Sequence, residues 1–329
     1  MMGNLNVVAV GGGTGLSSLL KGLKKEVGIT ISDLTAIVTV ADSGGSTGKL
    51  RKIYNIPAPG DIRNCIVALS EAEELMQELF QYRFKGDGLQ GHAFGNFFLT
   101  ALTDITGSFL EAVKLTSKIL KTKGNIIPST DENVNLAAEF DNSEIIKGED
   151  KITEYGRKGH KIKEIWLEPQ NPKAPEEALE KISQADVIVI GPGSLFTSIL
   201  PNFLVHDIKE VIKYSSALKI FVVNVMTQPG ETDNFTAYDH VQKFLEFSEL
   251  DKVDVAIVNT KMPSDALLRK YLEQNQEPVT PDITKIAKEG ITVYAEDLIG
   301  ETGDFVRHDP QKLTSLIVKI LENELLSRI

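Results

Sequence analysis

The run VVAVGGGTGLSSLLKGL, Val7 to Leu23, most narrows what this chain can fold into. Val7, Val8, Ala9 and Val10 are a short apolar, largely β-branched run; it stops at Gly11, Gly12, Gly13, Thr14 and Gly15, after which Leu16, Leu19, Leu20 and Leu23 recur at helical spacing. This pattern is a strand, a tight glycine turn and a helix. Glycines there supply positive φ and allow close backbone approach, and a helix N-terminus attracts an anion. The expected ligand therefore carries phosphate; the competing reading is a turn that only packs strand against helix.

The turn departs from the common dinucleotide fingerprint. Read as Gly-x-Gly-x-x-Gly from Gly11 the third glycine is Leu16, and from Gly13 it is Ser18. The acid that should end the second strand is also misplaced, because Asp33 precedes the strand expected at Thr35 to Val40. A standard NAD site is disfavoured.

That second strand runs into Ala41 to Lys49, a polar loop with Asp42, Ser43, Gly44 and Gly45. Gly44 lies one residue too close to Gly48 and Lys49 for a P-loop, and Leu50 replaces the Mg²⁺-binding hydroxyl. Asp42 could hold Mg²⁺, bond a sugar hydroxyl, or cap the loop. A third polar turn, Pro57 to Asn64, opens a helix, with Asp61 placed to be its N-cap and Arg63 and Asn64 on the first turn. A fourth, Gly86 to Asn96, carries His92; no second His or Cys stands nearby at ligand spacing, so hydrogen bonding or loop packing is expected of it rather than metal binding.

From Gly124 to Pro169 the texture becomes that of short strands, at Ile126-Ile127, Val134 to Phe140, Glu144 to Lys147 and Ile162 to Leu167, with a hairpin turn at Asp141-Asn142. We expect a β-rich insertion at about 124–169 in a single domain spanning 1–329. After a helix at Glu176 to Gln184 the alternation returns. Strands at Asp186 to Ile190 and Lys219 to Val225 lead into polar turns, Gly191 to Ser198 and the segment with Asn224, Thr227 and Gln228, and Val253 to Val258 ends in Asn259. Ser194 and Thr197 offer hydroxyls beside the glycines. Ile291 to Tyr294 is expected as the last strand, Arg307 to Pro310 as a polar turn, and Gln311 to Leu326 as an amphipathic helix. Polar turns after strand ends are where open parallel sheets bind ligands. Tyr271, in a helix at Leu267 to Leu272, is either core or a platform for a base. Arg307 is either a phosphate fork or one side of a surface salt bridge.

Composition removes other classes. A net charge of -11 and a pI near 5.1 argue against nucleic-acid or anionic-membrane binding. No apolar run reaches the roughly 20 residues of a membrane span, and a cytoplasmic protein is expected. The single cysteine, Cys65, excludes an internal disulfide and fits a buried thiol.

In order along the chain, GGGTGLSSLLKGLK, VTVADSGGSTGKLR, PAPGDIRN, GHAFGN, IGPGSLFTSILPN and NVMTQPGETDNFTAYDHV resemble the bacterial gluconeogenesis factor family (YvcK type), grouped with the 2-phospho-L-lactate transferases (CofD type). The resemblance runs over nearly the whole chain. It implies a Rossmann-like α/β fold, mostly parallel, with helices on both faces and the antiparallel insertion. It also implies a role in cell shape and wall synthesis during gluconeogenic growth, through binding a UDP-sugar such as UDP-N-acetylglucosamine with no established reaction and no required cofactor. A cell-wall synthesis protein would be the partner, and an oligomer is compatible with it. The transferase branch instead uses Mg²⁺ and adjacent aspartates after the second strand; here Ser43 follows Asp42, so one such carboxylate is missing. The ligand contacts expected are Gly11, Gly12, Gly13, Thr14 and Gly15; Asp42, Ser43, Gly44 and Gly45; Asp61, Arg63 and Asn64; His92 and Asn96; Gly191, Gly193, Ser194 and Thr197; Asn224, Thr227 and Gln228; and Tyr271 and Arg307. A metal is expected only at Asp42, and only for the transferase alternative.

Overall fold

A computed structural model describes residues 5–86, 88–302 and 304–326. The strands are β1 (Leu5–Gly11), β2 (Ile31–Val38), β3 (Asn125–Pro128), β4 (Asn135–Phe140), β5 (Ile145–Lys147), β6 (Ile162–Glu168), β7 (Val187–Ile190), β8 (Leu218–Val222), β9 (Val255–Asn259), β10 (Thr292–Glu296), β11 (Ile299–Thr302) and β12 (Phe305–His308). Among the described residues, seven form one parallel sheet in the order β10-β9-β8-β7-β1-β2-β3. Val7 to Val10 and Val187 to Ile190 are buried, as strands covered on both faces must be.

The helices around the sheet are α1 (Gly13–Leu23), α2 (Gly45–Tyr54), α3 (Pro59–Leu69), α4 (Glu74–Gln81), α5 (Phe94–Thr106), α6 (Phe109–Ile119), α7 (Glu149–Gly156), α8 (Glu176–Ser183), α9 (Leu200–Phe203), α10 (His206–Tyr214), α11 (Ala237–Ser248), α12 (Asp265–Leu272), α13 (Ile283–Lys288) and α14 (Pro310–Leu326). The leucines of α1 are fully buried, and α1 packs between α3 and α14. None of the described helices is long and apolar enough to cross a membrane. Cys65 is buried in α3.

The sheet grows one way through β2 and β3, and the other way through β7 to β10. Strand order therefore reverses between β1 and β7, the position at which a crevice opens in such sheets. The rhythm of the sequence survives with four corrections. First, β2 starts at Ile31, so Asp33 lies inside it; this charge is tolerated because Lys181 Nζ and Asn125 Nδ2 both reach its carboxylate, at 2.9 Å each. Second, Asn125–Pro128 is not part of the insertion but pairs in parallel with β2 as the sheet edge. Third, the insertion, a β5-β4-β6 antiparallel sheet with the expected turn after Phe140, also contains the unforeseen helix α7. Fourth, Arg307 and His308 are not a turn but lie in β12, paired with β11 in a terminal hairpin after Tyr294.

Candidate functional site

The turns after β1 and β7 meet. Gly13 takes φ of +65°, a conformation only glycine adopts without strain, and opens α1. Gly15 packs so closely on the Pro192 carbonyl that a Cβ there would overlap it. Gly11, Gly12 and Gly191 form the backbone behind this contact, while Gly13, Thr14, Gly15, Ser18, Gly193, Ser194 and Thr197 face a cleft of about 700 Å³. Residues 195–199 make a single π-helical turn, a feature that favours functional positions.

Asn224, after β8, ties the second turn down: its Oδ1 accepts the Gly193 N–H at 3.3 Å and its Nδ2 donates to Gln228 Oε1. Thr227 lines the cleft but accepts the Glu277 N–H at 2.9 Å. On the far side stand Lys270 and Tyr271 of α12 with Phe305 and Arg307 of β12. The Tyr271 hydroxyl accepts the Val306 N–H at 2.9 Å. Arg307 lays its guanidinium over the Phe305 ring, 4.6 Å from the centroid, and has no ion pair among the described residues, so the surface salt bridge expected as its alternative is not made there.

Four carboxyls gather beside the turn after β1; Glu149 and Glu231 line the cleft, and Asp42 and Asp61 lie behind it. Asp61 is not the N-cap of α3, a place taken by Ala58; its Oδ2 reaches across to accept the Gly13 N–H at 2.7 Å. Burial, reinforced by the charge of Asp42, pushes Asp61 up to about 7. Glu149, the first residue of α7, is held well above the carboxylate range by burial and then by Asp42, to which it is hydrogen-bonded. Glu231 is raised by burial even though Ser194, Thr153 and Thr197 hydroxyls and the Phe196 N–H donate to it. The Ser194 and Thr197 hydroxyls are thus engaged by Glu231 instead of being free donors. Asp42 does cap its own loop, accepting the Gly44 N–H at 2.8 Å, and Ser43 donates to Asp150 of the insertion at 2.8 Å. Gly45 is already the first residue of α2, which shortens the expected loop.

Of the expected contacts, Asp42, Ser43, Gly44, Gly45, Asp61, Arg63, Asn64, His92 and Asn96 do not line the main cleft. The Arg63 guanidinium, pushed down to about 10 by burial and by Arg83, donates to Asn96 at 3.0 Å and Asn64 at 2.8 Å. His92 Nδ1 lies 2.9 Å from Ser46 Oγ at the head of α2. Together they brace the loop after β2 from behind.

Sequence reasoning missed Glu149, Glu231, Lys270 and Phe305. Glu231 follows Pro229 and Gly230 in a turn already singled out, and was within reach. Glu149 gave no signal, because only the insertion's tertiary placement brings α7 to the turn after β1.

The model of the CofD family, 2-phospho-L-lactate transferase CofD, matches residues 7–299. The chain is similar to a putative gluconeogenesis factor of Aquifex aeolicus, 78% identical over 328 residues and all of both chains. It is 44% identical to the gluconeogenesis factor of Bacillus subtilis, over 98% of this chain and 100% of that one. A crystal structure of a UPF0052 family member from Bacillus halodurans superposes with a TM-score of 0.91 at 44% identity, covering 96% of this chain and 99% of that one.

Proposed function

The chain belongs to the CofD family, among relatives named gluconeogenesis factors, and from that premise we propose that it binds a nucleotide sugar of the UDP-N-acetylglucosamine class and acts as a sensor that links carbon supply to wall synthesis and cell shape. The observation that carries the reading is the meeting of two glycine turns at the strand-order reversal, faced across about 700 Å³ by an aromatic ring and an arginine. The volume suits a ligand of this size. The diphosphate lies against Gly13 to Gly15 and Gly193, with the base toward Tyr271 and Arg307 and the sugar toward Glu149 and Asp61. Below about pH 7 a protonated Asp61 no longer repels an anionic ligand, and Glu149, which lines the cleft and is held well above the carboxylate range, offers it a hydroxyl donor.

A second reading, transfer of a phospho-acyl group from a nucleotide diphosphate donor with Mg²⁺, has the convergence of Asp42, Asp61 and Glu149 in its favour. Against it, Ser43 stands where the second of two adjacent carboxylates would be, and among the described residues no three ligating side chains gather to hold an ion, so we derive no step through one.

Calorimetry with UDP-N-acetylglucosamine tests the first reading. Binding without Mg²⁺, lost in Gly13→Val while the fold survives, is the expected result; unchanged affinity in that variant removes the turn from the site. Bound ligand at a hundred times its dissociation constant should add about 2.7 kcal/mol of stability. Metal-dependent product formation from nucleotide-linked donors would replace the sensor with a transferase.

A further inference from the structure

The Glu231 carboxyl sits where three segments meet. From the turn after β7 it accepts the Ser194 hydroxyl, the Thr197 hydroxyl at 3.3 Å and the Phe196 N–H, and from α7 of the insertion it accepts the Thr153 hydroxyl at 3.0 Å. A carboxyl taken out of water is tolerated when donors surround it, and these four do. A hydroxyl has a single proton to give, and once that is given only its lone pairs remain. Ser194, Thr197 and Glu231 all line the cleft, so this corner presents acceptors to whatever enters. Glu149 lines the same cleft near enough to Glu231 to feel its charge, which adds a second carboxyl to the corner. The start of α1 has the opposite preference: its first turn carries no acidic residue, and a helix N-terminus attracts an anion.

Building on the nucleotide-sugar reading, we infer that the Ser194 and Thr197 corner is the glycosyl subsite and that Glu231 is the positioning residue that sets its selectivity. By taking the protons of Ser194 and Thr197, Glu231 makes the corner read groups that donate, the hydroxyls or amide N–H of a sugar. A further phosphate in that place would set anionic oxygens against lone pairs and carboxyls, a repulsive element of the kind from which specificity is built. The cleft therefore favours a nucleoside diphosphate that carries a hydroxylated group over the bare diphosphate, and the bare diphosphate over the triphosphate. Glutamine at 231 would keep the shape of the side chain but bring an amide that itself donates, which turns a hydroxyl proton toward the cleft.

The test is calorimetry of the full-length chain in Mg²⁺-free buffer with three probes, UDP-N-acetylglucosamine, UDP and UTP. In the parent protein we expect UDP-N-acetylglucosamine to bind about tenfold more tightly than UDP, and UTP more weakly than UDP. In Glu231→Gln the preference for the sugar should fall to about one and the penalty on UTP should disappear. A carboxyl that only ties α7 to the turn would instead weaken all three probes in step, and that result overturns the proposal. Should Glu231→Gln lose its circular dichroism, Ser194→Ala with Thr197→Val removes the acceptors directly, and an unchanged ratio of the three affinities there is equally fatal. A parent protein that binds UDP and UDP-N-acetylglucosamine alike, or UTP best, overturns the subsite and leaves nucleotide binding standing. If none of the three binds, the nucleotide-sugar reading itself falls, and this inference with it.

Discussion

The cleft wall made by the turns after β1 and β7 hangs from strands buried on both faces, inside the large core. The opposite wall, α12 with the β11–β12 hairpin, rests on a separate small core of Val225, Met226, Ile299 and Val306, with Leu267 and Tyr271 packed against it. The first wall is backbone, tight turns and carboxyls; the second is side chains on a light support. A constant group such as a diphosphate suits the first. The second can shift its ring and its guanidinium to close over what varies, since elements with few buried contacts open at the least cost.

The sharpest way to break this contrast is at the contact between the two turns. Gly15→Ala puts a methyl into the Pro192 carbonyl, and both partners are backbone; we expect a loss of about 2–4 kcal/mol in chemical denaturation and no detectable nucleotide-sugar binding. If Gly15→Ala is as stable as the parent, the first wall is not rigid. The same logic applied to the other wall is Val306→Ala, expected to cost about 1–2 kcal/mol. Its signature is local: hydrogen exchange speeds up in α12 and the hairpin and stays unchanged in β1 and β7. Faster exchange throughout would merge the two cores into one.

Arg307→Ala removes no packing from either core and should weaken nucleotide-sugar affinity about tenfold while leaving the thermal midpoint of the ligand-free protein where it was. Equal affinities would take Arg307 out of the site. A separate check comes from pH. Asp61 has a folded value of about 7 against an unfolded value near 3.8, so the folded state holds the extra proton between them. Its contribution to stability is greatest below about pH 4, falls as pH rises toward 7, and is flat above. Metal-free binding of the diphosphate should weaken over pH 6 to 8 for the same reason. Asp61→Asn should flatten the stability profile, and an unaltered slope would assign it to other groups.

Periodicity and turn chemistry made the parallel sheet legible, because β1, β7, β8 and β9 are mostly apolar and end in or run into glycine or asparagine. The turns after β1 and β7 were legible as a pair for the same reason. What escaped depends on distance. Asn125–Pro128 has four residues and no alternation, so nothing local assigns it to the main sheet instead of the insertion. Asp61 has the spacing of a cap, yet its partner is Gly13, 48 positions earlier. Glu149 lies in a segment that reads as short strands, and only the fold brings Asp42 beside it. The terminal hairpin was hidden because Arg307 and His308, one on each face of the strand, break its apolar pattern.

The central place of the first strand has a consequence for how the chain is made. Val7 leaves the ribosome 180 residues ahead of Val187, its neighbour across the sheet. Until then a nascent half-sheet of β1, β2 and β3 leaves one edge of β1 unpaired, an invitation to pair with other chains. A message truncated before Val187 would therefore yield aggregate rather than a working half-protein.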